Sequence, residues 1–408
     1  MGCLFDPSSP PRKSSAPILI GAGVLLALLL LTKLPSLASV HAEGDEMIYK
    51  CLAKNLRMTG SYTLRGSPVL KYLSQPIYDK PFFHHPPMLI FLILPLATSG
   101  WPDLAVVVSW FGHLLVCVAV LLFLLKFLKP GSWRLIFLVM LLVVLDPLLQ
   151  FCSQKIWNDS LLAGLSALSV VFFFLSLEEP SERKRKALAV GSGLLLGCAI
   201  LTKVPAIILF PVYALALLRR FRRREWKEAL LPGLCFLIPC LVVCAPWFVK
   251  FHGYYGRLLP DWLAADSRLI KDNAFVRMVK ERPPYYFFKE AFLLCPIFAV
   301  PLFFLLKNAR RTGSMAGILA FWFVWVLAVF TWQAVVANMT YQMRYLTMAW
   351  PPMYLLLGLT LERLDVFKRP VLLLVVLIGL AWHVATVIYY AAHLDFADIL
   401  SLAGVLTT

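Results

Sequence analysis

The sequence predicts an all-α, polytopic membrane protein, and three observations carry that prediction. First, 60% of the 408 residues are hydrophobic and 15% are charged, with a mean hydropathy of +0.78. A soluble domain is roughly half apolar and about a quarter charged. Second, the apolar residues come in runs of the ~20 residues that a helix needs to cross a ~30 Å hydrocarbon core. Third, the 39 Lys and Arg outnumber the 22 Asp and Glu, a formal net charge of +17, and concentrate between those runs. Arg12-Lys13, Lys126 with Lys129 and Arg134, Arg183–Lys186, Arg219–Lys227, Lys307–Arg311 and Arg363–Arg369 hold just over half of the basic residues. Short loops rich in Lys and Arg stay cytoplasmic, so the surplus reads as topology and not as a nucleic-acid surface. Soluble, disordered and collagen-like classes are excluded.

Candidate spans run over about 17–38, 104–127, 134–150, 157–177, 187–201, 204–218, 229–249, 289–306, 314–336, 344–361 and 370–392, eleven in all. The first lacks a small-residue cleavage site and reads as a retained anchor. Residues 86–99 are apolar but short and interrupted by Pro95. Placing every basic run inside leaves them no crossing, so they read as a dipping or re-entrant segment surrounded by protein. The expected organisation is a cytoplasmic terminus over 1–16, a membrane domain over 17–392 with outer loops at 39–85 and 250–288, and an outer tail at 393–408. No loop reaches the ~100 residues of a folded domain, so any chemistry falls to the outer loops and the helix ends beneath them.

The nine cysteines lie mostly in apolar runs without C-x-x-C spacing and read as small hydrophobes, forming neither a disulfide framework nor a zinc site. No internal repeat of fixed period is apparent, which counts against an inverted-repeat transporter. The final Val-Leu-Thr-Thr is no retention tetrapeptide, which favours a bacterial plasma membrane over the endoplasmic reticulum.

Charged residues recur on the outer side. From Asp45, the residues Ile48, Leu52 and Leu56 repeat every fourth position, one face of an amphipathic helix lying along the membrane. Asp45 and Glu46 occupy its first turn, where acids cap backbone N–H groups and suit the dipole. The same position also holds a carboxylate where it can take a proton from an attacking hydroxyl. Farther on, Tyr78-Asp-Lys80-Pro-Phe-Phe-His84-His85-Pro86-Pro87 fixes the backbone as it enters the membrane. There an imidazole is either solvated or meets a phosphate. Asp159 opens a span, and Lys203 sits where two spans meet. Arg344 follows in Tyr341-Gln-Met-Arg344-Tyr345, and Tyr285 and Tyr286 begin another span. Capping, snorkelling and an aromatic belt account for these one by one. They do not require acids and cations on one face.

In order and spacing these features resemble the GT-C class of integral-membrane glycosyltransferases, specifically the protein O-mannosyltransferase and lipid A aminoarabinose-transferase superfamily. The resemblance rests on Asp45-Glu46 with Tyr49, Gly60-Ser61-Tyr62, His85-Pro86-Pro87-Met88, Asp159, Leu201-Thr202-Lys203, Pro284–Tyr286 and Arg344–Pro351. It implies an inverting transfer of a sugar from a polyprenyl-phosphate donor (dolichyl- or undecaprenyl-phosphate) to a hydroxyl of a protein, lipid or glycan. It further implies Asp45, Glu46 and Asp159 as catalytic carboxylates, with Asp45 the base. Lys80, His85, Lys203 and Arg344 would bind the donor phosphate, and Tyr49, His84, Tyr285 and Tyr286 would contact sugar or acceptor. Glu46 and Asp159 are also where a divalent cation would be held. Two other readings stay open at this level: a polyprenyl-phosphate flippase, and a relative without catalysis.

Overall fold

The computed structural model describes residues 16–39, 44–67, 81–96, 103–222, 226–257, 283–307, 314–336 and 342–392. Lys80, much of the 250–288 loop and the 393–408 tail lie outside the described residues. The described residues are helical, without a strand. The helices are α1 (Ala16–Leu31), α2 (Leu34–Ala38), α3 (Gly44–Thr59), α4 (Met88–Ile93), α5 (Val107–Phe127), α6 (Trp133–Val144), α7 (Pro147–Ser153), α8 (Asp159–Leu177), α9 (Glu182–Thr202), α10 (Phe210–Arg222), α11 (Trp226–Tyr255), α12 (Tyr286–Leu294), α13 (Ala299–Lys307), α14 (Ser314–Val336), α15 (Trp350–Arg363) and α16 (Pro370–Ala392).

Seven of these segments are long and apolar enough to cross a membrane, and nine are if each of two bent pairs makes one span. The sequence predicted eleven. The other two, 204–218 and 344–361, are helical but begin as 3₁₀ turns, Val204–Leu209 before α10 and Met343–Ala349 before α15. Pro205 stands in the first turn of the one and the Pro351-Pro352 pair at the start of α15 in the other, where proline's missing backbone donor is tolerated. Rises of about 2.0 and 1.5 Å per residue give each path roughly 30–35 Å, a length its α-helical part alone lacks. The bent pairs are α6 with α7, at 49°, and α12 with α13, at 106°. In the first, Asp146 caps α7 through Leu149 N–H at 2.7 Å, with Pro147 at the first helical position. Among the described residues of the 86–99 segment, α4 and one 3₁₀ turn, Leu94–Leu96, are formed, and they are not among the segments long enough to cross.

The amphipathic reading of 45–56 matches α3, which buries Ile48, Tyr49, Leu52 and Ala53. The centre of the bundle is α8, with 83% of its span buried inside the protein. Its crossing with α5 is close because both helices carry glycine at the contact. A Cβ at Gly112 would meet the backbone of Ser160 and Leu161, and one at Gly164 would meet the Gly112 carbonyl. Small residues let backbones approach in this way inside membranes. Two hydrogen bonds seal the crossing: Ser109 Oγ donates to the Trp157 carbonyl at 2.9 Å and Ser160 Oγ to the Ser109 carbonyl at 2.8 Å. The start of α8 is thereby fixed in depth.

Consecutive spans such as α8 and α9 run antiparallel, which sorts the charges. Of the basic runs, the described residues Lys129 and Arg220 lie at one end, where α5, α8 and α15 finish. There Arg220 meets Glu178 at 3.4 Å, and Glu362 accepts from the Lys129 N–H at 2.5 Å. The opposite end carries α3, the start of α8, the end of α9 and the 3₁₀ turn at 343–349.

Candidate active site

At that second end, four charges from distant parts of the chain form one array. Asp159 stands in the first turn of α8 and Lys203 caps the end of α9. The two helices are antiparallel, so acid and base each sit at the dipole end that favours them. Their ion pair is 2.7 Å long, with Asp159 fully buried and Lys203 21% exposed. Arg344 lies in the 343–349 turn. Its Nη1 is 2.7 Å from Asp45 Oδ2 and 3.8 Å from Asp159 Oδ2. The order Asp45, Arg344, Asp159, Lys203 alternates in sign throughout.

Aromatic rings support both cations. The Arg344 guanidinium lies 4.5 Å from the Trp157 ring centroid and 5.7 Å from that of Tyr345, and Lys203 Nζ lies 4.5 Å from the Tyr345 ring. Such contacts add cation–π attraction without neutralising charge. Arg344 Nε also donates to Gln342 Oε1 at 2.6 Å. Thr347 Oγ1 donates to the Asp159 carbonyl at 3.2 Å, tying the 343–349 turn to α8. Asn158 Nδ2 donates to the Thr202 carbonyl at 3.2 Å, holding α8 and α9 in register.

The 81–87 segment closes one side. The His85 ring meets Tyr49 edge-on at 5.1 Å, and its backbone carbonyl accepts from Tyr62 Oη at 2.7 Å. Phe82 N–H donates to the Tyr62 carbonyl at 2.8 Å, so the Gly60-Ser61-Tyr62 turn clamps the histidine segment in place. His84 packs against Phe82 and Tyr255, with ring centroids 5.3 Å apart in each case.

The electrostatics follow from burial and from the array. Burial works to raise the Asp45 carboxyl, but Arg344, His85 and Lys203 outweigh it and hold Asp45 below the usual 3.8. Burial lowers His85 to about 4, with Lys203 and Arg344 adding to the effect against the pull of Asp45, so this imidazole is neutral at pH 7. Burial also lowers His84. Tyr49 is raised by burial and by the two nearby carboxylates. Arg344 stays cationic, as a guanidinium does in proteins.

Of the residues expected at the site, the structure therefore brings Asp45, Asp159, Lys203, Arg344, Tyr49 and His85 together, with His84 behind them. Glu46 is fully buried, and its Oε1 accepts from the Ile156 N–H at 2.9 Å. This bond joins α3 to the turn that carries Trp157 and Asp159. Tyr285 is 64% exposed, and Tyr286 is buried edge-on to Phe287. Among the described residues no group of three metal-ligating side chains includes Glu46 or Asp159. Trp157, Tyr345 and Gln342 carry no expected role from the sequence, although each adjoins or lies within two residues of a charge that did.

Residues 83–274, just under half of the chain, match glycosyltransferase family 87. No curated protein sequence matches the chain. Among solved structures, ArnT from Cupriavidus metallidurans bound to undecaprenyl phosphate superposes with a TM-score of 0.62 at 17% identity, over 86% of this chain and 61% of that one. Its apo state gives 0.61 at 19% identity, over 88% and 63%. The archaeal oligosaccharyltransferase AglB from Archaeoglobus fulgidus, in complex with an inhibitory peptide and a dolichol-phosphate, gives 0.56 at 14%, over 92% and 56%. The chain thus spans about three fifths of the length of these proteins. Identities this low speak for fold, and the fold of this chain is that of the GT-C integral-membrane glycosyltransferases.

Proposed function

We propose that the protein transfers a sugar from a polyprenyl-phosphate donor to a hydroxyl acceptor, with inversion, at the end of the bundle that carries α3. The observation that supports this reading best is the alternating array itself, in which a partly exposed carboxylate and a buried one share one guanidinium, with Lys203 beyond. A polyprenyl-phosphate leaving group develops negative charge that preorganised cations stabilise, and Arg344 and Lys203 stand ready for it. Arg344 is planar and suits phosphate oxygens in pairs, whereas Lys203 acts as a point charge. The neutral His85 offers a donor without adding charge.

Asp45 is the proposed base. Paired with Arg344 its carboxylate is weakly basic, but a donor phosphate that engages Arg344 relaxes that pairing. The Asp45 pKa then moves up toward a more effective value for proton abstraction. Donor binding and base activation are one event in this scheme. Asp159 holds Lys203 and completes the array. Glu46 is a positioning residue, fixing α3 on the 156–159 turn, and Tyr49 and His84 line the acceptor side. A lipid-linked donor arriving laterally implies a reaction at the surface of the membrane that holds the bundle.

The test uses the full chain in nanodiscs with polyprenyl-phosphate-mannose and, separately, the glucose donor. Release of polyprenyl phosphate is followed for the wild type and for Asp45→Asn. General-base removal costs about 10²–10⁴-fold, with membrane abundance unchanged. Turnover that survives Asp45→Asn moves the base to Asp159 or Glu46. Binding of donor with no turnover in the wild type refutes the transferase reading.

A further inference from the structure

The two broken spans break at the same place. The α6–α7 pair bends at Leu145-Asp146 and the α12–α13 pair at Cys295, and Cys295 Sγ donates to Asp146 Oδ2 at 3.3 Å. Two further elements close on this point. Tyr354 Oη of α15 donates to the same Asp146 oxygen at 2.5 Å, and His383 of α16 completes the cluster. One ligating atom from each of Asp146, Cys295 and His383 lies within 4.8 Å of the others, and all three side chains are fully buried.

Helix capping explains Asp146, and the thiol and phenol satisfy its second oxygen. Neither explains His383. Its Nδ1 is 3.2 Å from the Leu142 carbonyl, and a carbonyl only accepts, so Nδ1 carries the proton. Nε2 is then left as a bare lone pair, buried and without a partner. A buried acceptor left without a donor is costly. An N–H held by a backbone carbonyl, with the other nitrogen free, is also how metal-ligating histidines are oriented.

We propose that Asp146, Cys295 and His383 bind a divalent ion of the zinc class, with the Tyr354 hydroxyl as the fourth ligand. Nitrogen, sulfur and oxygen donors with bonds of about 2.0–2.3 Å suit zinc. The Cys295 thiol loses its proton as the S–metal bond forms, and that proton leaves to solvent. One thiolate and one carboxylate then balance the two positive charges, so the filled site is neutral, as the interior of a membrane bundle demands. Such an ion staples the two broken spans to α15 and α16. The site is independent of the Asp45 array and of the proposed transfer reaction.

The test uses the full chain, produced in zinc-supplemented medium and purified in detergent without chelator. Metal content and X-ray absorption at the zinc edge are measured. The expected result is one zinc per chain with one sulfur in its coordination shell. In Cys295→Ser the sulfur disappears from the shell, and in His383→Gln the zinc content falls about tenfold or more, as the loss of a direct ligand requires. A wild-type protein with far less than one zinc per chain overturns the proposal. So does a sulfur-free shell, or a sulfur signal that persists in Cys295→Ser, which would belong to another cysteine. If either variant does not elute as a folded species, the wild-type spectrum alone decides.

Discussion

The Lys203–Asp159 pair gives the sharpest test of the array, through the substitution Lys203→Met. Asp159 is fully buried, and its Oδ1 contact to Lys203 is 2.7 Å long. Its Oδ2 has no hydrogen-bond partner, and Arg344 stands 3.8 Å away. Removing one partner of a buried pair costs about 3–5 kcal/mol because the other charge is left uncompensated. Here Lys203 is 21% exposed and Arg344 remains, so the expected loss is about 2–3 kcal/mol. The double variant Lys203→Met with Asp159→Asn removes the stranded charge, and its loss falls to about 1 kcal/mol. The assay is reversible unfolding in mixed micelles for the wild type, both single variants and the double variant, read as a cycle. A loss below about 0.5 kcal/mol in Lys203→Met, or a double variant that loses the sum of the singles, refutes the electrostatic reasoning.

Other outcomes follow from the same geometry. His85 has a folded pKa of about 4 against about 6.5 unfolded, so the unfolded chain binds the extra proton between those values. Stability is therefore full above about pH 6.5 and is lost as pH falls toward 4, by up to ~1.4 kcal/mol per pH unit, and His85→Gln flattens that slope in pH-dependent unfolding. Asp45 titrates below 3.8, so its contribution to stability is present above that value and lost only below it. Arg344→Lys keeps the charge but loses the planar face over Trp157 and the paired donors, and donor turnover drops about tenfold or more at unchanged abundance. Gly164→Val places a branched side chain against the Gly112 carbonyl; overpacking of about 1–3 kcal/mol lowers the thermal midpoint and opens the chain to protease.

Several of these features were legible in the sequence for a physical reason. Asp159 and Lys203 mark helix ends in any reading, and antiparallel neighbours bring such ends to one level, so two charges 44 residues apart meet. Arg344 was legible as an outer cation, but not as the residue shared by two acids. Periodicity placed Asp45 and Glu46 in a first turn without saying which faced the array, since adjacent helical residues differ in direction by about 100°. The 3₁₀ starts at Val204 and Met343 were hidden because hydropathy reports apolar length and not rise per residue. Lys33 shows the same limit. The first span read as a plain anchor, yet Lys33 is fully buried and donates to Gln150 Oε1 at 2.5 Å and to the Ser153 hydroxyl. Its partners, His113 Nδ1 of α5 at 3.1 Å included, come from α5 and α7, far along the chain, and no local pattern encodes them.

The alternating array has one consequence for how a donor reaches it. Two carboxylates, one guanidinium and one ammonium sum to zero, and His85 adds nothing at neutral pH. A balanced quadrupole of this kind projects little potential beyond the ~8 Å screening length of physiological salt. It gives no long-range pull on anions in the surrounding water. These four charges therefore do not themselves concentrate free phosphates and nucleotides from solution, and under the proposed function a headgroup delivered to within contact distance by its own membrane-dissolved tail feels them separately. Varying the ionic strength leaves the capture rate of such a lipid nearly unchanged.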